Sequence, residues 1–135
     1  EVEQLDLQRG DWDRNKGQEI CQNDLAKFGD QIEVVFCNND DMALAAARTA
    51  KENPNYAKTI FLGFDGQKSA CEAVAAGELT MTAAQNNFDI GYKAVETMVK
   101  ILNGEQYDKV VDTGTEIITK DTADARLAKF DEWMK

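Results

Sequence analysis

The chain has 135 residues, of which 43% are hydrophobic, so it can bury the core of one ordinary domain but hardly of two. Its 25 acidic and 15 basic side chains give a net charge of −10, and this charge disfavours nucleic acids and anionic membrane surfaces as partners. No apolar run approaches the roughly 18 residues of a membrane-spanning helix.

Short strand-like runs alternate with helical stretches along the chain. Strands are predicted at 2–7, 32–37, 59–64, 79–84 and 116–120. Helices are predicted at 13–28, 41–52, 68–77 and 90–104, with a final helix after Thr122 that includes Met134. The uninterrupted apolar run at 32–37 is typical of a strand that is buried on both faces. Strands separated by helices of about 10–15 residues predict βαβ units, and therefore an α/β fold with a parallel sheet.

The residue inventory excludes the common catalytic machineries. The chain has no histidine, which removes Ser-His and Cys-His nucleophiles, and it has neither of the usual glycine-rich phosphate loops. Cys21, Cys37 and Cys71 form no CxxC pair and lie in apolar runs, so we interpret them as small buried side chains rather than metal ligands. We therefore expect neither a metal ion nor a cofactor.

Polar and aromatic side chains follow four successive predicted strands. Trp12, flanked by two aspartates, follows the first strand, and Asn39 follows the second. Asp65 follows the third strand and Gln85 the fourth. Ligands of open parallel sheets bind beyond the carboxyl ends of the strands, where carboxylates and carboxamides can pair with sugar hydroxyls and an indole can stack on the apolar face of the ring. The set predicts a site for a polyol such as a monosaccharide.

Each of these side chains also has an ordinary structural interpretation. Asn, Asp and Gly at strand ends cap helices and form turns. For Asp13, Asp40 and Asp41, a capping role is a full alternative to a binding role. The joint occurrence of polar residues at four consecutive strand ends, with a tryptophan between two acids, favours binding.

Three segments resemble the C-terminal half of type I periplasmic sugar-binding proteins, the family of the ribose-binding and glucose/galactose-binding proteins. They are DWDRNKGQ at 11–18, IEVVFCNNDDMALAAARTA at 32–50 and FLGFDGQKSACEAVAAGELTMTAAQ at 61–85. Each motif is weak alone, but their combination at this spacing is specific. The resemblance implies a three-layer α/β lobe with a parallel sheet, of which this chain holds an incomplete copy plus a crossover helix.

The resemblance also implies roles for five residues. Trp12 matches the aromatic side chain that stacks on the sugar, and Asn39 matches a carboxamide that hydrogen-bonds ring hydroxyls. Asp65 matches a carboxylate that binds one or two hydroxyls, and Phe64 beside it lines the site. Gln85 matches a residue at the hinge that touches the sugar, and glutamine there is typical of the ribose-like members.

Members of this family are longer than this chain, and the resemblance implies how the chain divides. Residues 1–85 are expected to form the C-terminal lobe without its first βα unit. Residues 86–110 are expected to hold a crossover helix that belongs to the other lobe, and 111–135 a return strand with the C-terminal helix. We therefore expect a part of a longer protein, with helix 90–104 projecting from the lobe or packing on another chain.

The implied function is the substrate-binding component of an ABC sugar importer, which binds but does not catalyse. A pentose or hexose is expected in the cleft between two lobes. The other expected partners are the membrane permease and the missing N-terminal lobe, with no nucleic acid. The expected location is the periplasm or the cell exterior, where a lipid anchor to the cell surface is one arrangement.

Three other functions are weighed against this one. The effector domain of a LacI-type transcription regulator shares the fold but adds a basic DNA-binding headpiece, which this sequence lacks. A phospho-acceptor receiver domain would use Asp65 as acceptor and Asp40 with Asp41 as the magnesium-binding pair, but that pair should follow the first strand rather than the second. A glycosidase would need a second carboxylate across a cleft from Asp65, and the sequence indicates no such pair.

Overall fold

The computed structural model describes residues 2–133, and within this range the chain forms the predicted α/β fold with four strands and five α-helices. The strands are β1 Val34–Phe36, β2 Ile60–Asp65, β3 Met81–Gln85 and β4 Thr115–Ile118. The helices are α1 Arg14–Phe28, α2 Asp40–Lys51, α3 Lys68–Ala75, α4 Asn87–Leu102 and α5 Ala123–Trp133, and short 3₁₀ turns cover Gly29–Gln31 and Pro54–Tyr56. Met134, predicted on the final helix, lies outside the described residues.

The four strands form one sheet in the order β1–β2–β3–β4. The first three strands are parallel, as the βαβ pattern predicts, with Val35 opposite Phe61 and Leu62 opposite Met81. β4 is antiparallel to β3. Because parallel neighbours must be joined by a crossover, α2 and α3 each carry the chain back to the end of the sheet where the strands begin. The carboxyl ends of β1, β2 and β3 therefore lie together at the opposite end, which we call the carboxyl edge of the sheet.

One face of the sheet carries the hydrophobic core. Phe61, Ala84 and Ile118 on this face are buried in a single cluster with apolar residues of α1, α2, α3 and α5. Small side chains allow the helices to approach closely, and a Cβ on Gly17 of α1 would lie 2.8 Å from the Cβ of Met42 in α2. The core therefore depends on one layer of helices packed on one side of the strands.

The opposite face of the sheet is largely open in the described chain. Val34 is 47% exposed and Phe36 59% exposed, and Ile117 of β4 is exposed as well. The prediction that 32–37 is buried on both faces is therefore wrong here, although Val35 does pack against the core. The exposure follows from the position of β1. It is an edge strand of the described sheet, and no second layer of described residues covers its outward side chains.

The predicted strand at 2–7 is also absent from the described structure, in which 2–10 have no regular secondary structure. Val2 and Leu7, two of the three apolar residues that favour a strand there, are exposed, and Leu5 is half-buried. An extended segment is stable as a strand only when a neighbour completes its backbone hydrogen bonds. This segment has no such neighbour within the described residues.

Local signals set the limits of α1 as predicted. The Asp13 carboxylate accepts a hydrogen bond from the Lys16 amide at 2.9 Å, so Asp13 has the capping role that was its structural alternative. Gly29 follows the last residue of the helix with a φ of 57°, and its amide donates to the Leu25 carbonyl.

Helix α4 has no buried residue. Apolar side chains recur along one side of it and remain exposed, namely Phe88, Tyr92, Val95, Val99 and Leu102. At its start, the Phe88 ring stacks on Trp133 of α5 at a centroid distance of 6.1 Å.

Among residues 2–133, no helix combines the length and the apolar character that crossing a membrane requires.

The turn after β2 depends on a glycine. Gly66 has a φ of 69°, and a Cβ at this position would lie 2.6 Å from the Cα of Ala84 in β3. Gly77, which follows α3, has a similar φ of 75° but faces open space. Both positions favour glycine for their backbone conformation, and Gly66 is in addition packed against the neighbouring strand.

Gly66→Ala is expected to lower the free energy of unfolding by about 2–5 kcal/mol, because it adds a clash with Ala84 to the strain of a left-handed backbone. Gly77→Ala is the matched control, and its loss should be about 1–2 kcal/mol from backbone strain alone. Urea unfolding followed by circular dichroism measures both values. Equal losses in the two variants would contradict the close approach of Gly66 to β3.

Candidate functional site

Four of the five predicted site residues lie at or near the carboxyl ends of the three parallel strands, and the fifth, Trp12, lies beside one of them. Asn39 lies just beyond β1, Asp65 is the last residue of β2, and Gln85 is the last residue of β3. Phe64 precedes Asp65 on the same strand. Trp12 lies in the turn before α1 and contacts Asn39. The parallel pairing of the strands is what places residues so distant in sequence at one edge.

Asn39 joins the Trp12 turn to the start of α2. Its Oδ1 accepts a hydrogen bond from the Met42 amide at 3.0 Å, and its Nδ2 donates to the Trp12 carbonyl oxygen at 3.2 Å. The buried Asn39 side chain is thus both the N-cap of α2 and a brace for the turn. Trp12 is 67% exposed, and an exposed indole can stack on a ring-shaped ligand.

Asp65 and Gln85 form a second contact at this edge. The Gln85 Nε2 donates to the Asp65 Oδ1 at 2.7 Å, and both side chains are half-buried. Phe64, also half-buried, lies opposite Ala83 in the sheet. Because a carboxylate offers about four acceptor positions, the bond from Gln85 leaves Asp65 able to accept from further hydroxyl groups.

The backbone of Asp65 is strained, with a φ of 111°. The turn that follows it is held by Asp40, the first residue of α2, which is completely buried. The Asp40 Oδ2 accepts from the Gln67 amide at 2.7 Å, and its Oδ1 accepts from the Thr82 hydroxyl at 2.6 Å. Asp40 therefore does not have the capping role that was its alternative. Asn39 holds the cap position, and Asp40 connects α2 to the turn after β2.

Burial shapes the ionisable groups near the core. Burial raises the pKa of Asp40, while the hydrogen bonds that its carboxylate accepts act to lower it. Burial also raises the pKa of Cys21, Cys37 and Cys71 to about 11, which keeps each thiol neutral at physiological pH. Cys21 and Cys71 are buried and Cys37 is half-buried, in line with the predicted packing role. Within residues 2–133, no three His, Cys, Asp or Glu side chains are grouped to hold a metal ion.

Arg126 of α5 supports this edge, and sequence reasoning misses it. The side chain is buried, and its Nη2 donates to the Gln85 carbonyl oxygen at 2.9 Å. Its Cζ lies 4.9 Å from the centroid of the Trp133 ring, and its Nη1 is 3.6 Å from a carboxylate oxygen of Glu116. Arg126 thus holds the end of β3 from the last helix. The available sequence signal, one arginine among the apolar residues of a predicted helix, is not specific.

Hydrogen-bonding side chains and an aromatic ring are thus found at this edge, and hydrogen bonds hold the turns that carry them. Asp65 offers acceptors, Gln85 offers both donors and acceptors, and Trp12 offers an apolar plane. This combination suits a ligand that carries several hydroxyl groups around a ring with an apolar face. Buried or half-buried polar groups of this kind also discriminate, because an analogue that lacks a hydroxyl would leave them unpaired.

Known proteins are similar to this chain in sequence. Residues 1–106 match the family described as periplasmic binding protein domain. The ribose import binding protein RbsB of Salmonella typhimurium is 41% identical over 102 residues, which are 76% of this chain and 34% of that protein. The D-allose-binding periplasmic protein of Escherichia coli is 35% identical over 104 residues, which are 77% of this chain and 32% of that protein.

The similarity extends to solved structures. An ABC transporter solute-binding protein of Bacillus halodurans, with bound myo-inositol, superposes with a TM-score of 0.78 at 30% identity. The match covers 87% of this chain and 40% of that one. The chain spans about a third of the length of the curated relatives named above.

Asn39→Ala should lower the free energy of unfolding by about 1–2 kcal/mol, because it removes the cap of α2 and the brace on the Trp12 turn together. Asn38→Ala is the matched control, since Asn38 is the exposed neighbour, and its effect should stay below about 0.5 kcal/mol. Chemical denaturation gives both values. A loss no larger for Asn39 than for Asn38 would show that the two bonds do not stabilise this edge.

Proposed function

This chain belongs to the type I periplasmic sugar-binding proteins, and we propose that it forms most of the C-terminal lobe of the sugar-binding component of an ABC importer. Proteins of this family bind their ligands without converting them, so the chain is not an enzyme. The relatives are named for ribose and D-allose, and the similar structure holds myo-inositol. The ligand proposed for this chain is a monosaccharide, either a pentose or a hexose.

The observation that carries the proposal is the convergence at the carboxyl edge of the sheet. The Asp65–Gln85 pair and the Trp12–Asn39 pair lie at the ends of adjacent parallel strands and their flanking turns. These four side chains are far apart in the sequence. Their meeting at one edge supports a shared ligand more strongly than capping roles taken one at a time.

Each residue has a distinct proposed task. The Trp12 indole stacks on the C–H face of the sugar, and Phe64, next to Asp65 on β2, lines the site. Asp65 accepts hydrogen bonds from one or two hydroxyls while Gln85 holds its other oxygen in place. Asn39 still has one N–H and one lone pair beyond its two internal bonds, which it offers to a ring hydroxyl.

One edge covers a sugar from one side, so the proposed receptor needs a second lobe. The two lobes close over the ligand by hinge bending, and the closed form is the one recognised by the membrane permease. A receptor of this kind works in the periplasm or outside the cell.

Two exposed apolar surfaces support the proposed division of the chain. The open sheet face with Val34 and Phe36 would be covered by the part of the lobe that 1–85 do not supply. The exposed side of α4, within 86–110, would pack on the other lobe, and 111–135 would return the chain to the first. Contiguous apolar surfaces of this kind mark interaction sites in soluble proteins.

Asp65→Ala should weaken binding of D-ribose by the full-length protein at least about 100-fold, because several hydroxyls lose a partner at roughly 1–3 kcal/mol each. Asp30→Ala is the matched control, since Asp30 is an exposed acid in the turn that precedes β1, toward the opposite edge of the sheet. Calorimetric titration with D-ribose, D-allose and myo-inositol measures the effect. Wild-type affinity in Asp65→Ala would remove Asp65 from the site, and no binding of any sugar by the parent would refute the function.

Val99→Asp should lower the free energy of unfolding of the full-length protein by at least about 2 kcal/mol if α4 packs on the other lobe, because it places a charge in an apolar interface. Glu96→Ala on the same helix is the control. It removes an i,i+4 contact with Lys100 and should cost below about 0.5 kcal/mol. Similar small losses in the two variants, measured by chemical denaturation, would mean that this side of α4 stays in water.

A further inference from the structure

We propose that Asp40 and Thr82 act as a buried positioning pair that sets the geometry of Asp65 and Gln85 for ligand binding. Neither residue of the pair is expected to touch the sugar. The inference rests on the proposed sugar-binding function, but it concerns residues to which the resemblance gives no binding role.

The first step is the bond between the pair. The Thr82 hydroxyl on β3 donates to the Asp40 Oδ1 at 2.6 Å, and both side chains are completely buried. The bond links the first residue of α2 to the strand that ends at Gln85. A hydrogen bond from a hydroxyl to a carboxylate at this distance is stronger than a hydrogen bond between two neutral groups.

The second step is the hold of the pair on the turn after Asp65. The Asp40 Oδ2 accepts from the Gln67 amide at 2.7 Å, and the Thr82 Oγ1 accepts from the Gly66 amide at 3.3 Å. Two successive amides of the turn are thus bound by the two members of the pair. The Thr82 hydroxyl serves both contacts, because it donates to Asp40 and accepts from Gly66.

The third step is the space that the pair occupies. Gly63 on β2 lies against the Asp40 carboxylate, and a Cβ at this position would clash with its Oδ1. Gly66 likewise leaves no room for a Cβ beside Ala84. Phe64 and Asp65, the two site residues on β2, lie between these glycines. Each glycine therefore lets a neighbouring residue, Asp40 or Ala84, pack directly against the backbone beside the site.

The consequence concerns the strained backbone of Asp65. A φ of 111° at a residue with a Cβ persists only where surrounding contacts over-determine it. Here those contacts come from Asp40 and Thr82 on one side and from the Gln85 side chain on the other. Without the pair, the Asp65 carboxylate would lose the orientation that meets Gln85 and, in the proposed function, the sugar.

The test compares three substitutions in the full-length protein. Thr82→Val keeps the shape of the side chain and removes its hydroxyl, whereas Thr82→Ser keeps the hydroxyl. Thr80→Val is the matched control, because the Thr80 hydroxyl oxygen accepts from the Phe61 amide at 3.1 Å at the other end of the same two strands. The readouts are D-ribose affinity by calorimetry and, in the ligand-free protein, the NMR resonance of the Gln85 side-chain amide.

Thr82→Val should weaken D-ribose binding about tenfold or more, because the turn after Asp65 loses its bonds to the Thr82 hydroxyl and the Asp65 carboxylate is no longer held in the orientation that meets the sugar. It should also move the Gln85 amide resonance upfield, because the bond to Asp65 lengthens. Thr82→Ser should keep the affinity and the resonance close to their wild-type values, and Thr80→Val should change neither. If Thr82→Val does not fold, Asp40→Asn replaces it, with the same resonance shift expected because one carboxylate acceptor becomes a donor.

Three results would overturn the inference: an unchanged Gln85 resonance in Thr82→Val, an equal loss of affinity in Thr80→Val, or unchanged affinity in Thr82→Val when the parent binds the sugar. The resonance is read without ligand, so it tests the positioning pair even if the parent binds none of the sugars. Failure of the parent to bind D-ribose, D-allose and myo-inositol counts against the proposed function. Normal binding by the parent with unchanged affinity in Thr82→Val counts against the pair alone.

Discussion

The parallel pairing of β1, β2 and β3 is the constraint on which the rest of the structure depends. Each parallel neighbour is reached by a helical crossover, so these three strands end at the same edge and the turns that follow them lie there. The polar residues Asn39, Asp65 and Gln85 are brought together by this rule rather than by any sequence proximity. The strand order alone therefore gathers these three residues at one edge.

The polar groups at this edge must also be paired in hydrogen bonds within the protein. The same residues therefore contribute to the stability of the fold and to the proposed binding. Asn39 caps α2 and braces the Trp12 turn with the same carboxamide that is proposed to meet the ligand. Asp40 and Thr82 are buried behind the edge and hold the turn that follows Asp65. A capping role and a binding role are thus compatible in one residue, because a carboxamide has more hydrogen-bonding positions than one cap uses.

The described chain covers its sheet on one face. Helices α1, α2, α3 and α5 share one cluster with the strands, while the side chains of Val34 and Phe36 face outward and α4 buries none of its residues. Apolar surface left in water contributes no hydrophobic stabilisation, so the fold described here depends on that single cluster. The proposed division of the chain assigns both of these exposed apolar surfaces to contacts with further protein.

The sequence by itself determined the features that neighbouring residues control. The βαβ order, the end of α1 at Gly29 and the polar residues at the strand ends follow from local backbone preferences and periodicity, which act within a few residues. Only the tertiary structure decided the rest. The lost strand at 2–7, the open face of β1 and the bond from Arg126 to the Gln85 carbonyl depend on which partner lies alongside, and a partner distant in the chain leaves no local signal.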